Sequence, residues 1–460
     1  MAFIPFARQS VGDAYPALAA ERSLNLYARP FPDGGASAMM LFPTPGMTTF
    51  SDYGPGGVRK ALELGDDLYL AAGSRMIRQS RDGTFTVLGA IAADPSVTMA
   101  TNGRDVVVAA GGVLSVWRTD TSTFATPSVT PLASGAVGSV CAVAGYVLAT
   151  EANGVRVAFS GLRDALTWGS DDFFSAESSP DAIVTSASTS GEAWIFGKRS
   201  TEVWGLTGTS AIFGRLPGGI ISRGVFWPGS VLVEDFGVFW VGDDKIVYRA
   251  DGFQPRRIST EAVEGAIGRE GYDETADVGA LTYTWRGHKF WCLRLPDAPA
   301  WCYDMATGMW AERASGAQAG AWIARCGASW GPDTAFGTAD GRLCTAGGVT
   351  DGGLTLVREA ITPTFAETRE PRTLAQVLAH FRADREDIGR PARAMLQVRR
   401  GGRGAPYGGW SPEKWQDIGK LGIAPVVRWG PQGSARMWQI RVRVTDPVRI
   451  AFGGVTPEFA

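Results

Sequence analysis

"VRKALELGDDLYLAAGSRMIRQSRDGTFTVLG", residues 58–89, decides the fold. It divides into four short runs of aliphatic, β-branched and aromatic residues, cut at Gly65-Asp66, Gly73-Ser74 and Asp82-Gly83. Alternating runs separated by turn residues read as strands in consecutive hairpins. Comparable units open at residues 96, 137, 182, 224, 278 and 321, as in "SVTMATNGRDVVVAAGGVLSVW" and "VGSVCAVAGYVLATEANGVRVAF". A recurrence of roughly 35–45 residues is that of β-propeller blades, whose radial repetition leaves only short sheet edges exposed. Seven units are counted, and the thin last one leaves six as the alternative.

The hairpin tips carry their own pattern. Asp-Gly recurs at 82–83, 251–252 and 340–341, where the last two strands of a unit are expected to meet in a type I′ turn. "WRTDTSTF" (117–124) and "YDMATGMW" (303–310) set an aromatic on each side of a polar turn. Trp117, Tyr303 and Trp310 are therefore expected to clasp neighbouring strands, not to hold a ligand. "GDD" at 65–67 and 242–244 reads as one recurring turn. A helix is expected only at "TEAVEGAIG" (260–268), with Thr260 as its cap.

Composition agrees with an all-β chain. Sixty glycines and 26 prolines in 460 residues are too dense for a helical protein, and 45% apolar residues suffice for a large core. The net charge of −2 hides an asymmetry: residues from Arg358 onward hold 17 Lys/Arg and 10 Asp/Glu, leaving −9 on the rest. Five cysteines without a CxxC pair read as free buried thiols. "MAFIPFARQS" lacks the apolar core of a signal peptide, and no apolar run reaches the roughly 18 residues of a spanning helix, so no membrane anchor is expected. Three segments are expected: an extended arm over 1–55, the β-propeller over 56–356 and a C-terminal β-sandwich-like domain over 357–460. In the last, "ARAMLQVRR" and "MWQIRVRVTDPVRIAF" alternate Gln/Arg with Val/Ile, which predicts a sheet with one wet, basic face.

Chemistry is sparse. The two histidines, His288 and His380, have no companion at metal-ligand spacing. No GxSxG, HExxH or Walker sequence occurs, "GGRGAPYGG" (401–409) lacks the Lys-Ser/Thr of a phosphate loop, and "SRDGTF" (80–85) only half-matches an Asp-box. No catalytic, cofactor-binding or metal site is expected. The densest group of carboxylates lies in "FSGLRDALTWGSDDFFSAESSPDAI" (159–183): Asp164, Asp171, Asp172, Glu177 and Asp181. A propeller-type polysaccharide hydrolase would need two of them in distinct environments, one acid and one nucleophile or base. A connector needs only polar turns and anchoring aromatics, and is the reading taken.

That stretch also resembles a signature of the tail hub, nozzle or packaged-DNA stabilisation proteins of short-tailed bacteriophages. In that family a Ser ends one blade, a "D…W" segment crosses over and "AE..PD.IV" opens the next. These fall on Ser160, Asp164, Trp168, Ala176, Glu177, Pro180, Asp181, Ile183 and Val184. "SLNLYARP" resembles the family's "NLYPE", with Ala28 and Arg29 in place of Pro and Glu. "TPGM" (44–47), "WIFGKRSTEVW" (194–204, ending on Trp204), "RISTEAVEGAI" (257–267) and "WCYDMATGMWAER" (301–313, with Tyr303, Asp304 and Trp310) follow in family order. The C-terminal segment from "WSPEKWQDIG" to "VTDPVRIAF" is similar to the end domain of such proteins.

The resemblance implies a structural protein of the virion tail, assembled in the bacterial host cytoplasm and without enzymatic activity. It implies a homohexamer below the portal and its head-to-tail adaptor ring, in contact with tail fibre or tailspike and tail needle or tip proteins. Packaged double-stranded DNA would pass its lumen without sequence recognition. Ser160, Asp164, Trp168, Glu177, Pro180 and Asp181 then become fold residues, with Glu177 and Asp181 satisfying backbone N–H groups where a strand begins.

Overall fold

The computed structural model describes residues 3–11, 21–30, 39–189, 191–235, 237–269, 271–365, 370–383, 388–402, 408–419 and 425–460. The "GGRGAPYGG" tip lies largely outside them. Residues 58–89 form four antiparallel strands, Val58–Leu64, Asp67–Ala72, Arg75–Gln79 and Phe85–Ala90, at the breaks read from the sequence. Units of the same form span 97–125, 137–175, 183–221, 232–257, 279–313 and 324–346. Their innermost strands touch in cyclic order, the last against the first, which closes a β-propeller ring.

Each blade buries both faces. In Asp105–Ala110 every residue is buried. Val107 and Ala109 pack toward the third unit, whereas Val106 and Val108 pack toward the first. The period of two thus feeds two cores at once, and one such core lies between each adjacent pair of units. This is why the second strand of a unit, as in "DLYLAA" and "DVVVAA", reads as an apolar run with no polar alternation.

The last unit is thin in sequence because only three of its strands, Ala324–Trp330, Asp333–Thr338 and Arg342–Ala346, are local. The fourth is Met47–Asp52, from the segment expected as an extended arm, paired antiparallel to Arg342–Ala346. Gly341, at φ +93°, sits where the chain enters Arg342–Ala346; a Cβ there would collide with the Gly54 carbonyl. Asp340-Gly341 therefore joins the second and third strands of its unit, not the last two. Nor are the Asp-Gly tips type I′: Gly83, Gly252 and Gly341 have positive φ, whereas the aspartates do not. Asp82 instead accepts from the Thr84 N–H at 2.8 Å. The two "GDD" segments also differ, one joining first and second strands and the other second and third.

The remainder of the N-terminal segment is woven into the C-terminal domain. That domain has two sheets enclosing one core, which includes Leu26, Leu41, Leu374, Val377, Trp438, Ile440 and Phe452. One sheet runs in the order Leu26–Pro30, Met39–Pro43, Ile450–Phe459, Arg372–Ala383 and Val426–Trp429, with Ile4–Pro5 also paired to Ile450–Phe459. The other continues the sixth blade. Its outermost strand Met309–Arg313 pairs with Ser23–Leu24, which pairs with Arg358–Ile361, then Met437–Val444, Arg393–Gly401 and Lys414–Asp417. Nine strands thus run unbroken from propeller to sandwich. The expected wet face is only partly so: Gln439 is fully buried, and the stems of Arg441 and Arg443 are half-buried.

One α-helix occurs among the described residues, Glu261–Arg269. Ala262, Val263 and Ile267 pack it against Trp227, Trp291 and Trp310. Thr260 precedes it, but its hydroxyl makes no hydrogen bond with the described residues. Glu264 holds this end instead, accepting from Ser259 Oγ at 2.7 Å and from the Arg257 guanidinium at 2.8 Å.

Asn25 is the pin of the nine-stranded sheet. It is fully buried at φ +54°, which Asn tolerates better than most residues. Its amide donates to the carbonyls of Ala314 at 3.0 Å and Val357 at 2.7 Å, and accepts from the Ala314 N–H at 3.0 Å. Asn25→Ala is expected to lower unfolding stability by about 3 kcal/mol or more, since it orphans buried backbone groups on both sides. Chemical denaturation checks this; a loss below about 1 kcal/mol would show that the pin is dispensable.

Candidate functional site

Beside Asn25, Arg22 donates to Glu312 Oε2 at 2.9 and 2.6 Å and to Glu359 Oε1 at 3.3 Å. Glu359, 1% exposed, also accepts from Arg443 at 2.9 and 2.7 Å, and Arg441 lies at 3.7 Å. One carboxylate therefore gathers three guanidiniums at the junction of propeller and sandwich. Burial alone would raise the Glu359 pKa, but the charges of Arg22, Arg441 and Arg443 outweigh it and hold the carboxyl below its ordinary value. Nothing in the local sequence marks Arg22 or Glu359, because the partners of Arg22 lie 290 and 337 positions away.

The acidic stretch divides in two. Ser160 ends the third strand of the third unit, Arg156–Phe159, and not the blade itself, since the fourth strand Phe173–Ser175 follows. The Ser160 Oγ accepts from the Val147 N–H at 3.0 Å and donates to the Gly161 carbonyl at 2.8 Å. Between these strands the chain folds back onto the second unit. Asp164 takes Arg118, Thr167 and the Leu166 N–H as donors. Arg118 also forks onto the buried Asp105 at 2.8 and 3.1 Å, and Asp105 accepts the Ala165 N–H at 2.7 Å. Burial pushes Asp105 up, but these donors more than compensate and leave it below the usual carboxylate range. Trp168 enters the core between the second and third units, and its Nε1 donates to the Ala165 carbonyl at 2.9 Å.

The second part links to the fourth unit. Glu177 and Pro180 stand toward solvent, and the Glu177 side chain makes no hydrogen bond or ion pair with the described residues. The expected role falls to Asp181 alone, which accepts from the backbone of Arg199 at 2.7 Å and Ser200 at 3.2 Å and from Ser200 Oγ at 3.0 Å. Glu202, not singled out from sequence, receives the Ser178 N–H at 2.7 Å and the Trp204 Nε1 at 3.0 Å. Trp204 stacks on Phe174, centroids 4.1 Å apart. Asp164 thus holds its own turn in the third unit and ties it to Arg118 of the second, whereas Asp181 holds a turn of the fourth.

Trp117 stands opposite Phe124 and Tyr303 opposite Trp310 across their hairpins. Trp310 is fully buried and donates to the Ile258 carbonyl at 2.8 Å, tying the sixth unit to the fifth. Asp304 holds its turn through the Ala306 N–H at 3.0 Å and Thr307 at 2.9 Å, and its Oδ2 lies 2.8 Å from His288 Nδ1. His380, half-buried, lies 2.9 Å from the Thr456 hydroxyl, and burial lowers its pKa. The five thiols are free and buried. No group of three or more His, Cys, Asp and Glu placed to hold a metal occurs among the described residues.

The inner strands line an axial cavity of about 660 Å³. Its charges include Arg59, Lys60, Arg294, Arg325 and Asp277, with Asp277 bridging Arg294 at 2.7 Å and Arg325 at 2.8 Å. Burial lowers the pKa of the Lys60 ammonium.

A closed ring of four-stranded blades, fused through one blade to a two-sheet sandwich, defines a β-propeller protein with an appended domain. The chain belongs to the family described as "Bacteriophage P22 Gp10, beta-propeller", whose model matches residues 15–343. The match takes in all but the end of the propeller and much of the N-terminal segment; the C-terminal sandwich strands lie beyond it. No curated protein matches the chain. Among solved structures, the chain is similar to PorZ, a bacterial surface component of the type-IX secretion system of Porphyromonas gingivalis. There the identity is 10% and the TM-score 0.40, over 68% of this chain and 39% of that one. The computationally designed Ika8 protein is 14% identical with a TM-score of 0.39, over 75% and 98% of the two chains. The WD40 β-propeller domain of Doa1 is 9% identical with a TM-score of 0.41, over 65% and 96%.

The junction carboxylate sets an acid response. Glu359 has a depressed folded-state pKa, so its contribution is present above the unfolded value, about 4.3, and is lost as pH falls through the folded one. Glu359→Gln should cost about 3–5 kcal/mol at neutral pH, and the gap to wild type should narrow below about pH 4, read from denaturation midpoints across pH. A constant gap would remove Glu359 from the acid response. Separately, Trp310→Ala should cost about 3–5 kcal/mol whereas Glu177→Ala stays within about 0.5 kcal/mol. A Trp310→Ala variant that melts like wild type would reverse its assignment as a clamp.

Proposed function

We propose that this chain is the tail hub or nozzle protein of a short-tailed phage virion, closing the tail channel over packaged DNA and forming the conduit for its ejection. Membership of the P22 Gp10 propeller family carries the reading. The construction is that of a wall: Asp164, Asp181, Trp168 and Trp204 of the signature segments are engaged in turns and inter-blade cores. The protein acts without enzymatic activity, and no cofactor takes part.

Six copies form the ring, which sits in the virion tail on the head-to-tail adaptor below the portal, assembled in the host cytoplasm. Tail fibre or tailspike and tail needle or tip proteins complete its neighbours. A closing ring repeats one heterologous contact between two different patches of each subunit. A body near −9 and a C-terminal region at +7 provide surfaces of opposite sign for it. The lumen is acidic or neutral, since a basic wall would hold phosphates by counterion release and retard passage of DNA.

Virions assembled without this chain should fill with DNA and then lose it, and quantitative mass spectrometry of wild-type particles should count six copies. Retention of DNA by particles lacking the chain would overturn the closure role; one or three copies would overturn the hexamer. The purified chain should leave host polysaccharide intact. Turnover abolished by Asp171→Ala or Glu177→Ala would restore the hydrolase reading.

A further inference from the structure

A second cavity, of about 470 Å³, opens where the propeller meets the sandwich. Five arginines line it and, among the described residues, no carboxylate does. They converge from distant parts of the chain. Arg29 lies on Leu26–Pro30, Arg286 on the turn after Gly279–Trp285, Arg358 at the start of Arg358–Ile361, Arg382 on Arg372–Ala383 and Arg449 just before Ile450–Phe459. The guanidiniums of Arg29, Arg286 and Arg382 make no hydrogen bond or ion pair with the described residues. Elsewhere in the chain the guanidiniums of Arg22, Arg118, Arg390 and Arg443 are all matched to carboxylates.

The cleft is also ordered. The Arg29 guanidinium lies 5.5 Å from the Phe42 ring centroid and that of Arg286 5.5 Å from the Trp285 ring. Such cation–π contacts restrain the fork while leaving its N–H edge available. Arg358 is 1% exposed and donates to the carbonyls of Leu356 at 3.3 Å and Asp446 at 3.4 Å. Like charges gathered around apolar walls raise the free energy of the empty cleft, and an anion entering it relieves that cost. Planar forks that offer paired N–H donors match tetrahedral oxyanions bidentately.

We propose that this cleft binds phosphate groups, with Arg286, Arg382 and Arg29 as the direct contacts and Arg358 as its fixed floor. The site rests on these side chains alone and stands whether or not the chain forms a phage tail. A phosphate group reaches it either as a free anion or as part of a nucleic-acid backbone.

Isothermal titration of the full-length protein in chloride buffer of constant ionic strength, with inorganic phosphate and then pyrophosphate, tests the site. Binding is expected for both, stronger for pyrophosphate, and weakened about tenfold or more in Arg286→Gln/Arg382→Gln, since each lost charged hydrogen bond carries that order of effect. Arg163→Gln, an exposed change on the propeller, should bind as wild type does. Competition by a short duplex DNA identifies the backbone as the source; its failure to compete identifies the free anion. Absence of binding to either probe, or unchanged binding in a double variant that melts like wild type, overturns the proposal. Should the double variant melt early, each single substitution is titrated in its place, with the same two outcomes.

Discussion

Two residues, Ser23 and Leu24, complete a sheet that neither of its halves can complete alone. On one side they pair in parallel with the sixth blade and on the other antiparallel with Arg358–Ile361. Everything C-terminal to the ring is oriented by this strip. Arg22 and Asn25 flank it, one by charge and the other by amide hydrogen bonds, and each reaches both neighbours. A sheet continuous in hydrogen bonds resists hinge motion, because bending would break a ladder and not merely slide a surface. Such a junction is stiffer than a flexible linker between domains would be.

The propeller was legible because its information is local. Strand breaks at residues 65, 73 and 82 follow from turn residues, and seven similar units repeat the same message. What stayed hidden is what depends on partners far along the chain. Met47–Asp52 looks like loop in isolation, and only the three-stranded state of the last unit betrays a missing member. Of the signature carboxylates, Asp164 and Asp181 accept from turn N–H groups, whereas Glu177 faces solvent and Glu202 receives the Ser178 N–H instead. Spacing alone cannot separate the two glutamates, since the choice rests on which one the neighbouring strand brings to Ser178. The Asp-Gly tips were correctly located in the first and fifth units, but their turn type required φ at the aspartate.

Charge counts need the same correction. The surplus of +7 beyond Arg358 is not a uniform basic coat. Arg390 pairs with Asp446, while Arg441 and Arg443 face Glu359 inside the junction. Charge left over after such pairing gathers in places such as the cleft around Arg29, Arg286 and Arg382, so local convergence and not net charge describes the field at this surface.

The closing strand of the ring has a consequence for synthesis. Arg342 reaches Thr49 across 293 positions, so the seventh blade stays open at its edge until the whole of the intervening chain has left the ribosome. The strip at Ser23–Leu24 waits longer still, for Arg358–Ile361 and then for the sandwich behind it. Residues made early are thus fixed late, and during that interval an unpaired edge and two unsealed cores stand exposed to other chains. Nascent copies made side by side would face the same open edges, which makes exchange of this closing strand between chains the assembly error to which such a molecule is most exposed.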